Sequence, residues 1–510
     1  MREAPQSGPT SPPHEERTFT AVGAQRTFNV PRFWTDGANG MLFLFHLHGF
    51  GALAGYANGV RTASGDAFWA DVVASWLTAN AAPSLPAWHP FPTSGRIIAW
   101  CAALSAIEGW PRGLRDAVAA SLWRQAGYLR RAVEHDIGGN HVLHNGAALV
   151  TAGALFPTTD LLPHGVALLE HELDRQLLGD GGHEERSTSY HREVTEQVAD
   201  VVELVARDGR LDPARLEASL ARGSAWQAAI AGPDGRLPLL NDAWDGPPVA
   251  RDGSDVNVLA ESGYIVARHG SDQLVFDAGP VCPPHLPPHA HADVLSFVLW
   301  LDGRPLIVDP GSYAYSGPWR NSFRATAAHN TVEVDGRDQC LFWGDFRAAY
   351  HPRVRRLPVR RENGLLVVGG RHDGYRTLAA PVLHERRIVW WPARGLVLVD
   401  RLTGRGRHRV RSPLHLAPEI EPSGASAGPV QIRPLTDGLD VAHKEGRYAP
   451  YIGTFQRTVV IEQTGDVEPE VPFGWSLLRP EAEARLEGDV LTLTCPDEAA
   501  RTVALRWDLP

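Results

Sequence analysis

The chain has 510 residues, 43% hydrophobic and 21% charged, a composition that fits a globular protein of two or three domains and excludes a disordered or fibrous one. Forty-nine basic against 59 acidic residues leave a formal charge of −10, which excludes the basic footprint that nucleic acid demands. Lys444 is the one lysine, so any anionic partner is met by planar guanidinium groups able to grip a carboxylate or sulfate with two hydrogen bonds.

The opening stretch "MREAPQSGPTSPPHEERTFT" is polar and Pro-rich, and lacks the apolar core of a secretory signal. Residues 1–30 are expected to be disordered. The expected location is cytoplasmic, and export by a non-standard route is also compatible with the sequence. "MLFLFHLHGFGALAGYA" (41–57) is apolar but interrupted by histidines and glycines, which suits a buried helix rather than a membrane span, so no membrane partner is expected. From there to about 232, apolar residues recur every three or four positions. The spacing predicts helices near 41–57, 66–80, 94–107, 113–134, 141–156, 162–178, 190–208 and 212–231. Val194, Val198, Val201, Val202 and Val205 make the clearest stripe. Consecutive helical hairpins of this kind build either a bundle or an α/α toroid. Cys101, Cys282, Cys340 and Cys495 lie far apart and form neither a zinc knuckle nor a disulfide scaffold.

After "GPDGRLPLLNDAWDG" (232–246) the pattern changes to short Val-, Ile- and aromatic-rich runs between Gly, Asp and Pro turns. "GYIVARHG", "QLVFDAG", "VLSFVLWLDGRPLIVD", "NTVEVDG", "GLLVVGG", "RRIVWWPARGLVLVDRL" and "VLTLTCPDEAARTVALRW" read as strands and hairpins. The expected division is a helical domain over 31–245, a β-sandwich over 246–420 and a smaller C-terminal sheet over 421–510.

Three clusters carry chemistry. In "GGNHVLHNGAALVTAG" (138–153), Asn140 and His141 stand where a glycine-containing loop enters a helix, with His144 and Asn145 farther along the same face. A helix N-terminus favours anions, so the pair is placed to grip a carboxylate; helix capping by Asn and solvated histidines explain it equally simply. In "HEERSTSYHREVTEQVAD" (183–200), Tyr190 falls four residues before Val194, either a core ring or a phenol facing a cleft near His191 and Glu185. In "PHAHADVLSFVLWLDGRPLIVDPGSY", alternation puts His289, His291 and Asp293 on one side. A hairpin centred on Asp302 and Gly303 then places Asp309 opposite Ser296, about 16 Å along the strand from His291. For His291 to meet Asp309, the 286–294 segment has to curl back. His329 precedes a later strand, and two His with one Asp are a plausible metal set as well as a plausible hydrogen-bonded group.

These stretches in this order, with "WHPFPTSGRIIAW" (88–100), "LPLLNDAWDG" and "FRATAAHNTVEVDG" (323–336), resemble the heparinase II/III family of polysaccharide lyases. The resemblance implies a multidomain α+β fold: an incomplete α/α toroid, then an antiparallel β-sandwich with a smaller C-terminal sheet. It implies Asn140 as the amide that binds a uronate carboxylate with His141 beside it, Tyr190 as catalytic tyrosine and His289 as catalytic histidine. It implies His291, Asp309 and His329 as ligands of one structural zinc, and no organic cofactor. His144 stands where relatives often carry Glu, which leaves any role of that acid open here.

The implied reaction is β-elimination at a 4-linked uronic acid in an anionic polysaccharide or oligosaccharide. A base takes the C5 proton, an acid protonates the O4 leaving group, and the neighbouring carboxylate must be neutralised. Tyr190 suits the acid and His289 the base. Arg96 and Arg324 are candidates to neutralise the carboxylate, with Trp88 and His144 as further substrate contacts. A glycoside hydrolase using Glu185 and Asp242, and a non-catalytic carbohydrate-binding protein with Trp88, Trp244, Trp319 and Trp343 as sugar platforms, are the rival readings. Self-association is compatible with the sequence.

Overall fold

The structure, a computed structural model, describes residues 18–21, 24–28, 32–35, 40–496 and 498–507. The chain divides into two units, one comprising residues up to Leu177 with Arg192–Arg222, the other Leu178–His191 with Gly223 onward. The expected boundaries at 245 and 420 both lie inside the second unit. Of the stretch expected to be disordered, 1–17, 22–23 and 29–30 lie outside the described residues. Strands β1 (Thr18–Ala21) and β2 (Ala24–Thr27), by contrast, pair antiparallel, with Phe19 and Phe28 buried.

The first unit is helical. It contains α1 (Met41–Gly49), α2 (Gly51–Asn58), α3 (Ala63–Ala79) and α4 (Pro90–Ala106). It continues with α5 (Arg112–Leu129), α6 (Gly139–Leu155) and α7 (Leu161–Gln176). Most of α8 (Thr188–Asp208) and the first half of α9 (Ala214–Ile230) also belong to it. The single helix expected over 41–57 is two, because Phe50 between two glycines adopts a left-handed conformation (φ 57°) that closes α1 and opens α2. No helix among the described residues is long and apolar enough to cross a membrane.

Helix starts follow ordinary capping chemistry. Thr62 accepts the Gly65 amide at α3, while His89 accepts the Phe91 amide ahead of Pro90 at α4. The Val194, Val198, Val201 and Val205 stripe packs with Leu143, Val150, Leu162, Val166 and Leu169. The α6–α7 seam requires glycine: a Cβ on Gly153 would stand 2.2 Å from the Leu162 nitrogen. That seam fixes the helix whose first turn carries Asn140 and His141.

The second unit is a stack of antiparallel sheets. Strands β3 (Val256–Leu259), β4 (Tyr264–His269), β5 (Asp272–Asp277), β6 (Phe297–Leu301) and β7 (Arg304–Ile307) form a meander. One face (Ile265, Leu274, Phe276, Leu299) packs on an eight-stranded sheet through Leu366, Val368, Ile388, Trp390, Leu396 and Leu398. The other face (Tyr264, Val266, Val275, Val298, Trp300) packs on Trp226, Ile230 and Ala231 at the end of α9. The outer face of the eight-stranded sheet (Val389, Trp391, Val397, Val399) is covered by a three-stranded C-terminal sheet through Leu491, Leu493, Val503 and Trp507. Central strands are therefore apolar on both faces, which is why "IVWW" and "GLVLV" are unbroken runs. A four-stranded sheet completes the unit with His408–His415, Asp440–Tyr451, Thr454–Val467 and Glu333–Val334.

Candidate active site and metal centre

Tyr190, His289, His291, Asp309 and His329 all fall in the second unit, whereas Asn140, His141 and His144 fall in the first.

In the second unit, the residues before Tyr190 are tied to the 238–244 segment. Ser187 donates to the Asp242 carbonyl (2.5 Å), Thr188 to that of Pro238 (2.6 Å) and Ser189 to that of Trp244 (2.8 Å). These bonds hold Tyr190 edge-on to Trp244 (5.4 Å) and 3.9 Å, ring to ring, from His289. The Tyr190 hydroxyl is 2.7 Å from that of Tyr315.

Asp242, with no solvent exposure, organises this corner. Its Oδ2 accepts from His289 Nδ1 (3.1 Å), and its Oδ1 accepts from His291 Nε2 (3.0 Å), Ser312 (3.1 Å) and Arg320 (2.5 Å). Burial would raise this carboxyl, but the Arg320 cation and the two imidazole hydrogen bonds prevail and hold it well below the usual carboxylate range. An ionised Asp242 only accepts, so His289 donates Nδ1–H and keeps its Nε2 lone pair, with Glu185 3.9 Å from that nitrogen. Arg320 also lies 5.5 Å over the Tyr315 ring, so one cation serves the carboxylate and the phenol pair.

Residues 286–296 are not a strand, which corrects the expectation that His289, His291 and Asp293 share one face. Leu295 takes a left-handed conformation (φ 62°) and the Ser296 amide donates to the Asp293 carbonyl, so the segment does curl back. His289 thereby meets Tyr190, while His291 meets Asp309 and His329. A ligand atom from each of these last three lies within 4.8 Å of the others, and all three are buried. His291 Nε2 is held by Asp242, and His329 Nδ1 donates to Asp309 (2.8 Å). The remaining nitrogens, His291 Nδ1 and His329 Nε2, are buried with no protein partner. Two oriented imidazole lone pairs beside a carboxylate fit a metal ion, and this group could hold one.

In the first unit, Asn140 and His144 line a cavity of about 330 Å³ with Phe45, His46, Phe91 and Gln197. The Gln197 amide is 2.6 Å from His144 Nδ1, and burial pushes His144 down to about 4. His141 Nδ1 is 2.9 Å from Glu134, a buried carboxylate that also accepts from Asn145 (3.0 Å). Burial would raise Glu134, yet His141, Asn145 and His89 together hold it below its ordinary value.

Three expected substrate contacts are corrected. Arg96 sits on the inward stripe of α4, fully buried, donating to Gln125 (2.8 Å) and to the His48 and Ala87 carbonyls (2.9 Å each) over the Trp76 ring. Trp88 is buried, donating to the Asn80 carbonyl (3.2 Å) and packed edge-on to Tyr128. Arg324 is buried, fastening the Gly344 and Asp345 carbonyls (2.8 and 2.9 Å). Sequence reasoning missed Tyr315 and Arg320 altogether, and it missed Glu134. "SYAYSGPWR" follows the matched "DPG" directly, but nothing in its spacing tells which ring turns inward.

A helical unit followed by layered antiparallel sheets, with a Tyr–His pair and a buried His–Asp–His group, defines the toroid-and-sandwich class. The chain belongs to the heparinase II/III family: models described as Heparinase II/III N-terminus and Heparinase II/III-like, C-terminal match residues 61–252 and 251–502. It is 26% identical over 245 residues to a heparin-sulfate lyase of Bacteroides stercoris, covering 39% of this chain and 36% of that one. It is 23% identical over 334 residues to a heparin-sulfate lyase of Pedobacter heparinus, covering 56% and 47%. The chain thus spans less than half the length of these curated relatives. A crystal structure of heparinase III superposes with a TM-score of 0.74 at 17% identity over 90% of this chain and 82% of that one, so the fold is an incomplete toroid followed by a β-sandwich.

Proposed function

We propose that this chain is a polysaccharide lyase that cleaves a 4-linked uronic-acid-containing glycan by β-elimination. The observation that carries the reading is the Tyr190–His289 pair at 3.9 Å, its imidazole fixed by an anionic Asp242, in a chain of this family. His289 Nε2 takes the C5 proton, the C4–O4 bond breaks, and the Tyr190 hydroxyl protonates the departing oxygen. The phenolate left behind is stabilised by the Arg320 cation and recovers a proton through Tyr315. For Asn140 and His141, in the helical unit, it is the resemblance that assigns carboxylate recognition. With Arg96 and Arg324 bonded to protein carbonyls, charge neutralisation passes to groups other than those two.

We infer zinc for the His291, Asp309 and His329 group, since two imidazoles and one carboxylate are a donor set that ion favours. When bound, it supplies a structural crosslink and positive charge beneath the loop that carries His289. The hydrolase alternative is not favoured: Asp242 is wholly enclosed by His289, His291, Ser312 and Arg320, so it has no lone pair directed at a sugar.

The relatives' names place heparin and heparan sulfate first in the substrate panel, followed by hyaluronan and bacterial uronans. The expected product carries a C4–C5 double bond, seen as new ultraviolet absorbance. Tyr190→Phe and His289→Ala should each lower kcat by roughly 10²–10⁴-fold with the melting temperature little changed. Saturated products, or undiminished turnover by Tyr190→Phe, would overturn the reading.

A further inference from the structure

Outside the groups that carry the chemistry, the second unit presents an aromatic surface to solvent. Trp319, on the short helix α10 (Gly317–Arg324), and Phe455 are 38% and 39% exposed, 5.9 Å apart, and both rest on Tyr313 (5.0 and 5.7 Å). Above them lies the exposed guanidinium of Arg447, 5.0 Å from the Trp319 ring and 5.5 Å from Phe455. Arg447 has no carboxylate within ion-pairing reach among the described residues, and its direct cross-strand partner is a second arginine, Arg457. Arg457 has Glu445 4.0 Å away, which leaves Arg447 as the member of the facing pair without a carboxylate.

We propose that Trp319, Phe455 and Arg447 form a separate subsite for a negatively charged sugar of the same glycan, an assignment that rests on the lyase reading for its choice of ligand. The C–H face of a pyranose stacks on the indole and phenyl rings, and its carboxylate or sulfate pairs with the guanidinium fork. A neutral sugar would leave the cation unused. Placement agrees: Trp319 and Arg320 are neighbours with Cα atoms about 3.8 Å apart. Arg320 turns inward to Asp242 while Trp319 turns out, so platform and reacting groups lie within one oligosaccharide's span. The surface is also held still, because the Gly453 amide at the tip of the Phe455 hairpin donates to the Tyr313 carbonyl (2.8 Å).

The test measures affinity in the Tyr190→Phe background, so that turnover does not interfere. Heparan sulfate, hyaluronan and alginate tetrasaccharides are titrated by calorimetry, with chitotetraose as neutral control. Trp319→Ala and Arg447→Ala should each raise Kd about tenfold for the anionic ligand, and Arg447→Lys should restore part of the loss. Weakened binding in the variants, with no unsaturated product from the wild-type enzyme assayed in parallel, supports the subsite and overturns the lyase reading. Product formation with unchanged affinity in both variants overturns the subsite alone, and so does a parent that binds none of the anionic tetrasaccharides.

Discussion

Asp242 is where burial and charge compete most directly. A carboxylate without solvent is stable here because Arg320, equally buried, sits 2.5 Å away and two imidazoles and a serine satisfy its remaining lone pairs. Removing one member of such a pair leaves the other charge uncompensated. Asp242→Asn should therefore cost about 3–5 kcal/mol in urea unfolding of the β unit. Asp242→Asn combined with Arg320→Met should recover much of that stability without recovering turnover, because His289 has still lost the anionic partner that fixes its tautomer and stabilises its protonated form. Single losses that simply add in the double variant would mean that Asp242 and Arg320 are not coupled. Nothing in "LPLLNDAWDG" announced this role for Asp242, since its partners come from sequence positions 47 to 78 residues away. Arg96 failed in the opposite direction: an arginine in an apolar helix pattern read as a ligand group, although its position on the 93–96–100 stripe pointed it into the core.

At the scale of elements, the sequence was legible wherever one physical period dominated. The Asp302–Gly303 turn (φ 52° and 76°) and the helices from 63 to 230 lie close to where spacing put them. The long hairpin of Asp440–Tyr451 with Thr454–Val467 escaped, because half the residues of its first strand are exposed and no apolar alternation survives. The 286–296 loop was legible only as a necessity, a segment that had to curl for His291 to reach Asp309. Its conformation rests on a few hydrogen bonds and on the His–Asp–His group. Chelation should therefore release one metal ion per chain, lower the melting temperature of the β unit and abolish turnover. His329→Ala should reproduce all three, as followed by elemental analysis and calorimetry. A fully stable protein that binds no metal would mean that no metal crosslinks this loop.

For the whole molecule, neutral buried histidines set the response to acid. In the helical unit, His48 accepts from the Trp76 indole (3.0 Å) through Nδ1 and donates from Nε2 to the Trp34 carbonyl (3.0 Å). Burial, reinforced by the Arg96 charge, pushes it down to about 3, and His144 in the same unit goes down to about 4. Unfolded, each would titrate near 6.5. Above that pH both states are neutral and stability does not depend on these groups. Between 6.5 and the folded values the unfolded chain takes up protons that the native one refuses, so stability falls as pH falls, by about 1.4 kcal/mol per pH unit for each such group. Two units make a single unfolding transition unwarranted, so the helical one is followed through its own tryptophans. Glutamine can both accept from Trp76 and donate to Trp34, so His48→Gln should keep the hydrogen bonds and lose the titration. The wild-type helical transition should drop steeply from pH 6.5 toward 4, and that of His48→Gln should drop less steeply from a similar value at neutral pH. Parallel pH dependences in the two proteins would mean that acid acts elsewhere, on the carboxylates rather than on the enclosed imidazoles.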